Sequence, residues 1–428
     1  MYLRPLMAAA LAVALTTGTS MAQNRVDGSR PDAPELAAPG PYTIGVRTLS
    51  LTDPDRPDVL ASTDALVTGP RTLIAEFWYP AAEGTEPGGT YETVLRDGVT
   101  PVTLHGQAAR DASASGDGPF PLVVISHGYP GNRTLLAHLG EHLASHGYAV
   151  LSLDHTDSTY SDQAAFGSTL YNRPLDQKFA IDAMAADESL AGLVSTDSVG
   201  LIGYSMGGYG AVIMSGAGLI APIVESPFAP PQRLLAAHVA GSETHEALPD
   251  PRISAIVAIG PWGMNYGLWD AEGLAGIRIP TMYIAGSMDT VSGYSSIRTI
   301  FEGAVNIDRH LLTFENAGHN AAAPIPAPSE SYAVSEALGW APFEHYADPV
   351  WDTVRMNDIA QHFVLAYLDQ NVRGMEDRGA YLDLIENAND GVWSLDDDGA
   401  QTEDHTYWAG FREGLAVGLR FETLGAAE

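Results

Sequence analysis

The stretch "LIGYSMGGYG", Leu201 to Gly210, sets Ser205 between Gly203 and Gly207 and then adds Gly208 and Gly210. Glycine inside a helix costs about 0.5–1 kcal/mol relative to alanine, so this concentration points to a loop or to a steric necessity. The flanks argue against a plain loop. Upstream, "SVGLIG" is a short apolar run of the buried-strand type, and downstream "YGAVIMSGAG" reads as a small-residue helix able to lie close against a sheet. Strand, Gly-x-Ser-x-Gly, helix is the pattern of a nucleophile elbow, a strained turn that lifts a serine hydroxyl above the sheet. Gly203 and Gly207 then stand where side chains would collide with neighbouring backbone. An ordinary glycine-containing turn can carry the same letters, so the rest of the chain has to decide.

The chain has 428 residues and 45% hydrophobic content, enough for a globular protein with a sizeable core. Its first residues, "MYLRPLMAAALAVALTTGTSMAQ", combine basic Arg4, an apolar stretch from Pro5 to about Leu15 and a small-x-small cleavage signal at Ser20-Met21-Ala22. That is the form of a secretory signal peptide over residues 1–22, too short for a membrane span, and it implies a secreted or periplasmic product without a stable membrane anchor. The absence of cysteine excludes disulfides, a thiolate nucleophile and a lipid-modified amino-terminal cysteine. The formal charge of −32, from 21 Lys+Arg against 53 Asp+Glu, disfavours nucleic acid and anionic membranes as partners. Such a surface either aids solubility in a salty medium or is simply solvated.

Residues 23–40 are polar and proline-rich and read as a flexible lead-in to one domain over 23–428. "YTIGVRTLSL" and "RTLIAEFWYP" alternate as antiparallel-type strands, and a Gly/Asp/Ser linker follows around 111–119. "PLVVIS" is then a continuous apolar run, followed by a helix with Leu136, Leu139 and Leu143 on one face and Gly147 as its stop. "YAVLSLD", a polar loop, a helix near 174–190 and the elbow strand continue the series, and "ISAIVAIG", "TMYIAG" and "HLLTFE" extend it. A last helix falls around "VRMNDIAQHFVLAYLDQN". Alternating buried strands and helices predict an α/β fold with a mostly parallel central sheet covered by helices on both faces. Residues 320–350 form a long proline-containing insertion, and 373–428 read as a carboxyl-terminal appendage packed on the same domain.

In such sheets reactive groups gather at the carboxyl ends of the strands. Asp289 stands just past "TMYIAG" and His319 just past "LLTFE", in the chain order Ser…Asp…His of a catalytic triad on this fold. His319 would take the Ser205 proton as general base, and Asp289 would fix the imidazole tautomer and stabilise its cation. Taken singly, Asp289 could be a turn residue and His319 a capping or core histidine. An acyl-transfer site also needs oxyanion donors. The N–H of Met206, directly after the nucleophile, and the N–H of Tyr129, in the loop "SHGYPGNR", are the candidates. His127 in that loop either braces it or serves as a base, and bracing is the better reading. Tyr129, Tyr204 and Trp262 are candidate pocket residues, with core packing as the alternative. No metal-ligand spacing or cofactor motif is present; "DHTDSTYSD" (Asp154–Asp162) shapes the pocket, binds a cation or is a polar loop.

From about residue 70 to 370, "RTLIAEFWYPA", "VVISHGYPGNRTLLAHLGEHLASHGYAVLSLDH", "GYSMGG", "IAGSMD" and "NAGHN" together resemble α/β-hydrolases of the predicted dienelactone hydrolase type and platelet-activating-factor acetylhydrolases. The resemblance implies the α/β-hydrolase fold and a serine esterase with Ser205, Asp289 and His319 as triad and Tyr129 and Met206 at the oxyanion. Dienelactone hydrolases proper use a cysteine nucleophile, which this chain lacks. A weaker similarity, through Tyr129, "GYSMGG" and "GPWG" with Trp262, is to bacterial cutinases and polyester hydrolases. The expected partner is therefore a small-molecule or polymeric ester. An amidase or peptidase with the same triad and a non-catalytic binding module are the competing readings, and an intact Ser, Asp and His speaks against the last.

Overall fold

The computed structural model describes residues 23–427, so the signal-peptide reading of Met1–Ala22 lies outside the described residues. In chain order the strands are β1 (Asn24–Arg25), β2 (Ile44–Pro57), β3 (Thr68–Pro80), β4 (Gly89–Val94), β5 (Pro101–Gly106), β6 (Ala109–Arg110), β7 (Phe120–Ser126), β8 (Ala149–Asp154), β9 (Val194–Tyr204), β10 (Ile253–Ile259), β11 (Thr281–Gly286), β12 (Arg309–Phe314) and β13 (Leu419–Leu424). Ten of them form one sheet in the order β13-β12-β11-β10-β9-β7-β8-β3-β2-β6. The run from β8 through β12 is parallel throughout, while β3, β2 and β13 join by antiparallel pairings.

The period-2 alternation of side chains sorts the apolar runs onto two faces. Val123, Ile125 and Ile202 point into one core with Leu139 and Leu143 of α1 (Ala137–Ser145) and Phe363 of the helix Thr353–Arg373. Leu122, Val124 and Leu201 point into the other, against Ile181 of α2 (Phe166–Ala186), Val212 of α3 (Met206–Met214) and Phe301 of the helix Tyr294–Gly303. The expected architecture is present: a mostly parallel sheet with helices on both faces, the α/β-hydrolase fold. Strand order reverses at β7, whose neighbours β8 and β9 lie on opposite sides, and the crevice at such a switch point is where α/β sheets place ligands.

Four local expectations are corrected. The lead-in 23–40 is not loose: β1 pairs with β5, Val26 and Leu36 are buried, and the Leu36 N–H donates to His362 Nδ1 at 3.2 Å. Two apolar side chains in a polar stretch are enough to pin it. The segment 373–428 is no appendage, because β13 completes the sheet edge along β12 and Trp408 and Phe411 pack on Phe363 in the core. The helix expected near 174–190 starts at Phe166 and carries Pro174 within it. A proline has no N–H for the carbonyl four residues back, here that of Leu170, and the Tyr209 hydroxyl of α3 donates to that oxygen instead at 3.0 Å. Finally, β1, β5 and β4 form a separate three-stranded sheet that hydropathy patterning missed, and its hairpin loop reaches the crevice.

Candidate active site

The turn from β9 into α3 holds Ser205 at φ 52°, ψ −110°, a left-handed conformation that a serine adopts only under constraint. The constraint is visible. The Ser205 N–H donates to Ile259 O at 2.8 Å and its carbonyl accepts the Trp262 N–H at 3.1 Å, so the end of β10 and the segment after it clamp both sides of the residue. A Cβ at Gly207 would press into the Ser126 carbonyl, and one at Gly203 into the Gly207 carbonyl, far inside van der Waals contact. The glycines of the opening stretch thus let β7, β9 and α3 approach one another closely.

Asp289 and His319 follow β11 and β12, and the structure brings both to Ser205. His319 Nε2 lies 3.0 Å from Ser205 Oγ and His319 Nδ1 lies 2.8 Å from Asp289 Oδ2. The other Asp289 oxygen accepts the N–H groups of Val291 at 2.8 Å and Ser292 at 2.9 Å. Burial by itself would raise the Asp289 carboxyl, but the His319 hydrogen bond and these two amides outweigh it and hold the group below its ordinary value. An ionised Asp289 places the imidazole proton on Nδ1, which leaves Nε2 free to accept from the serine hydroxyl. This arrangement can activate a hydroxyl for attack and carry the proton through the reaction.

Among the described residues, the N–H groups of Tyr129 and Met206 have no backbone acceptor; Met206 follows Ser205 as the first residue of α3, and Tyr129 lines the same cleft as Ser205. The loop that carries Tyr129 is fixed by a buried polar network. His127 Nδ1 donates to Gly128 O at 2.7 Å and its Nε2 accepts the His155 N–H at 3.2 Å, so both nitrogens are engaged and the ring braces the loop. Burial pushes the His127 imidazolium well below its ordinary value, which keeps the ring neutral. Arg173 donates to the His127 carbonyl and to Ser158. His155 joins Ser126 Oγ at 2.8 Å to Asp176 at 3.0 Å, and Asp176 also accepts from Arg71 at 2.8 Å and Arg56 at 3.1 Å. Sequence reading missed Arg173 and Asp176. Their signal was there: two opposite charges three residues apart on the inner face of an otherwise core-facing helix.

A cleft of about 620 Å³ opens over Ser205 and His319 and is lined by Tyr129, Tyr204, Arg96 and Trp340 among others. Tyr204 is a pocket wall and a positioning group together. Its ring packs at a tilt with its centre 5.2 Å from that of the His319 ring, and its hydroxyl bonds Asn320, which in turn donates to the Glu344 and Ala347 carbonyls at 3.0 and 2.8 Å. The insertion 320–350 thereby supplies one side of the cleft. Trp262 stands beside the cleft rather than in its lining. It packs on Phe166 and Tyr266, and with Tyr129 and the exposed Phe228 these rings form an aromatic shelf leading away from the site. In "DHTDSTYSD", Asp154 is paired with Arg133 and Asp157 with Arg71, and no metal-holding cluster of three ligating side chains occurs among the described residues.

Comparison with known proteins agrees with the fold. Residues 89–234 match a family described as PETase, PET hydrolase-like. The chain is 25% identical over 202 residues to cutinase est1 of Thermobifida alba, which covers 47% of this chain and 53% of that protein. It is 23% identical to a bis(hydroxyethyl) terephthalate hydrolase of Streptomyces coelicolor, over 53% of this chain and 58% of the relative. The chain thus spans little more than half the length of these relatives. A solved ferulic acid esterase from Streptomyces cinnamoneus superposes with a TM-score of 0.58 at 22% identity, over 82% of this chain and 94% of that one. By fold the protein is an α/β-hydrolase, and in sequence it resembles cutinases and polyester hydrolases.

Proposed function

We propose that the protein is a secreted hydrolase of carboxylic esters that works through an acyl-enzyme on Ser205. The observation that carries this reading is the continuous line Asp289, His319, Ser205, at 2.8 and 3.0 Å, beside two N–H groups without backbone acceptors. As Ser205 Oγ attacks the ester carbonyl, His319 Nε2 takes its proton, and the N–H groups of Tyr129 and Met206 receive the oxyanion; one such donor is worth about 10²–10³ in turnover. His319 then returns the proton to the departing alcohol oxygen. A water attacks the acyl-enzyme with His319 again as base, which releases the acid and restores Ser205.

Aromatic and polymeric esters are the favoured substrates within that class. The shelf from Tyr129 through Phe166 and Trp262 to Tyr266 offers aromatic rings running out from the Tyr129 wall of the cleft, and the names of similar proteins refer to terephthalate and ferulate esters. The leader read in Met1–Ala22 supports export; among the described residues no helix is long and apolar enough to cross a membrane. Protein collected from the secreted fraction of a producing host is expected to begin near Gln23. That mature form should hydrolyse p-nitrophenyl esters and terephthalate diesters much faster than matched anilides. Retention of Met1–Ala22 would refute export, and an anilide rate equal to the ester rate would make the protein an amidase.

A further inference from the structure

Arg96 sits in the loop between β4 and β5 and lines the catalytic cleft together with Ser205 and His319. Its guanidinium lies 5.9 Å from the centre of the Trp340 ring. Among the described residues no carboxylate or carbonyl oxygen accepts a hydrogen bond from it. Among the described arginines only Arg47, which lies over the Tyr79 ring, shares this. With 53 acidic residues against 21 basic ones, a partner is easily found, and Arg56, Arg71, Arg133, Arg252 and Arg298 each have one or more.

Three acids at the cleft are already committed. Asp97 spends its oxygens on the Val99 and Thr100 N–H groups, the Thr100 hydroxyl and the Ser335 hydroxyl at 2.9 Å. Asp348 accepts the N–H groups of Gly318 at 2.6 Å and of Val350 and Trp351 at 2.8 Å. Asp289 serves His319, while Glu344, which also lines the cleft, is exposed and makes no ion pair with Arg96. The groups that bear most on Arg96 are neutral: Tyr129, Tyr160, Tyr346 and the His345 ring, which bonds Tyr160 at 2.8 Å and is itself pushed down to about 3 by burial. Burial also pulls the Arg96 guanidinium below its ordinary value. A partly desolvated cation without a counter-ion is a standing cost, and an incoming anion relieves it.

We propose that Arg96 docks a free carboxylate on the substrate, so that the preferred substrates carry one hydrolysable ester and one carboxylate in the same molecule. The planar guanidinium presents paired N–H donors that match a carboxylate, and Trp340 borders it on one side. In a chain of charge −32, which repels anions at long range, this one arginine in the cleft that holds Ser205 is what admits them. The proposal rests on the ester-hydrolase reading. It also gives the three-stranded sheet and the 320–350 insertion a shared role, since each brings one of the two side chains to the cleft.

The test uses two matched pairs and the mature protein. Monomethyl terephthalate against methyl 4-methylbenzoate places the carboxylate on the acyl side; 4-(butanoyloxy)benzoate against 4-methylphenyl butanoate places it on the alcohol side. Wild type should favour the anionic member of at least one pair. In Arg96→Gln the anionic-to-neutral ratio of kcat/KM should fall about 10- to 100-fold, chiefly through KM, and Arg96→Lys should recover part of it. The pair that responds identifies the side of the ester that carries the carboxylate. Ratios unchanged by Arg96→Gln in both pairs, with the neutral esters still turned over and the fold intact by circular dichroism, overturn the proposal. Failure of wild type to hydrolyse any of the four esters overturns the ester-hydrolase reading itself.

Discussion

Ser205→Ala is expected to lower ester turnover by about 10⁴- to 10⁶-fold while leaving the unfolding transition nearly unchanged. The hydroxyl removed makes one hydrogen bond, to His319 Nε2, and fills almost no core volume, so little of the fold depends on it. The backbone that creates the elbow stays in place: the Ser205 N–H remains on Ile259 O and Gly207 still lies against Ser126. Asp289→Asn should be damaging but less complete, because it disturbs the imidazole tautomer and leaves the nucleophile. Ester turnover in Ser205→Ala close to that of wild type would remove the reason for the strained turn.

The second large effect is one of stability. Asp176→Ala is expected to cost about 3–5 kcal/mol, because it leaves Arg56 and Arg71 without their shared buried carboxylate. It also frees His155, which positions Ser126 at the end of β7 and caps His127 in the loop that carries Tyr129, so turnover should fall along with stability. The pH dependence has a definite sign. Burial opposes ionisation of Asp176, but the Arg71 ion pair dominates and holds the carboxyl far below its ordinary value. Its contribution is therefore complete above the unfolded carboxylate range and is lost as the pH falls below it. Denaturant titration at neutral pH measures the effect; a change within about 0.5 kcal/mol would show that the network is not stabilising.

The parts of the fold legible in the sequence are those that depend on local pattern. "PLVVIS", "ISAIVAI" and "TMYIAG" are apolar throughout because both faces of their sheet are covered, and "GYSMGG" declares a turn that only small residues permit. Asp289 and His319 could be picked out because a parallel sheet delivers strand ends to one edge. What stayed hidden depends on distant pairing. β13 carries the exposed-edge alternation of a lone strand and gains its meaning only beside β12, and β1 is two residues held by β5. Arg96 and Asp176 are ordinary charged letters in a sequence full of them. One stands out because, among the described residues, it lines the cleft without an acidic partner, the other because folding buries it among three partners.

The most direct measurement is covalent trapping. Incubation of the mature protein with diethyl p-nitrophenyl phosphate, followed by peptide mapping, should place a single diethylphosphoryl group on the Ser205 peptide and abolish ester hydrolysis in proportion to labelling. A label on another residue, or full ester hydrolysis with Ser205 unmodified, would contradict the account.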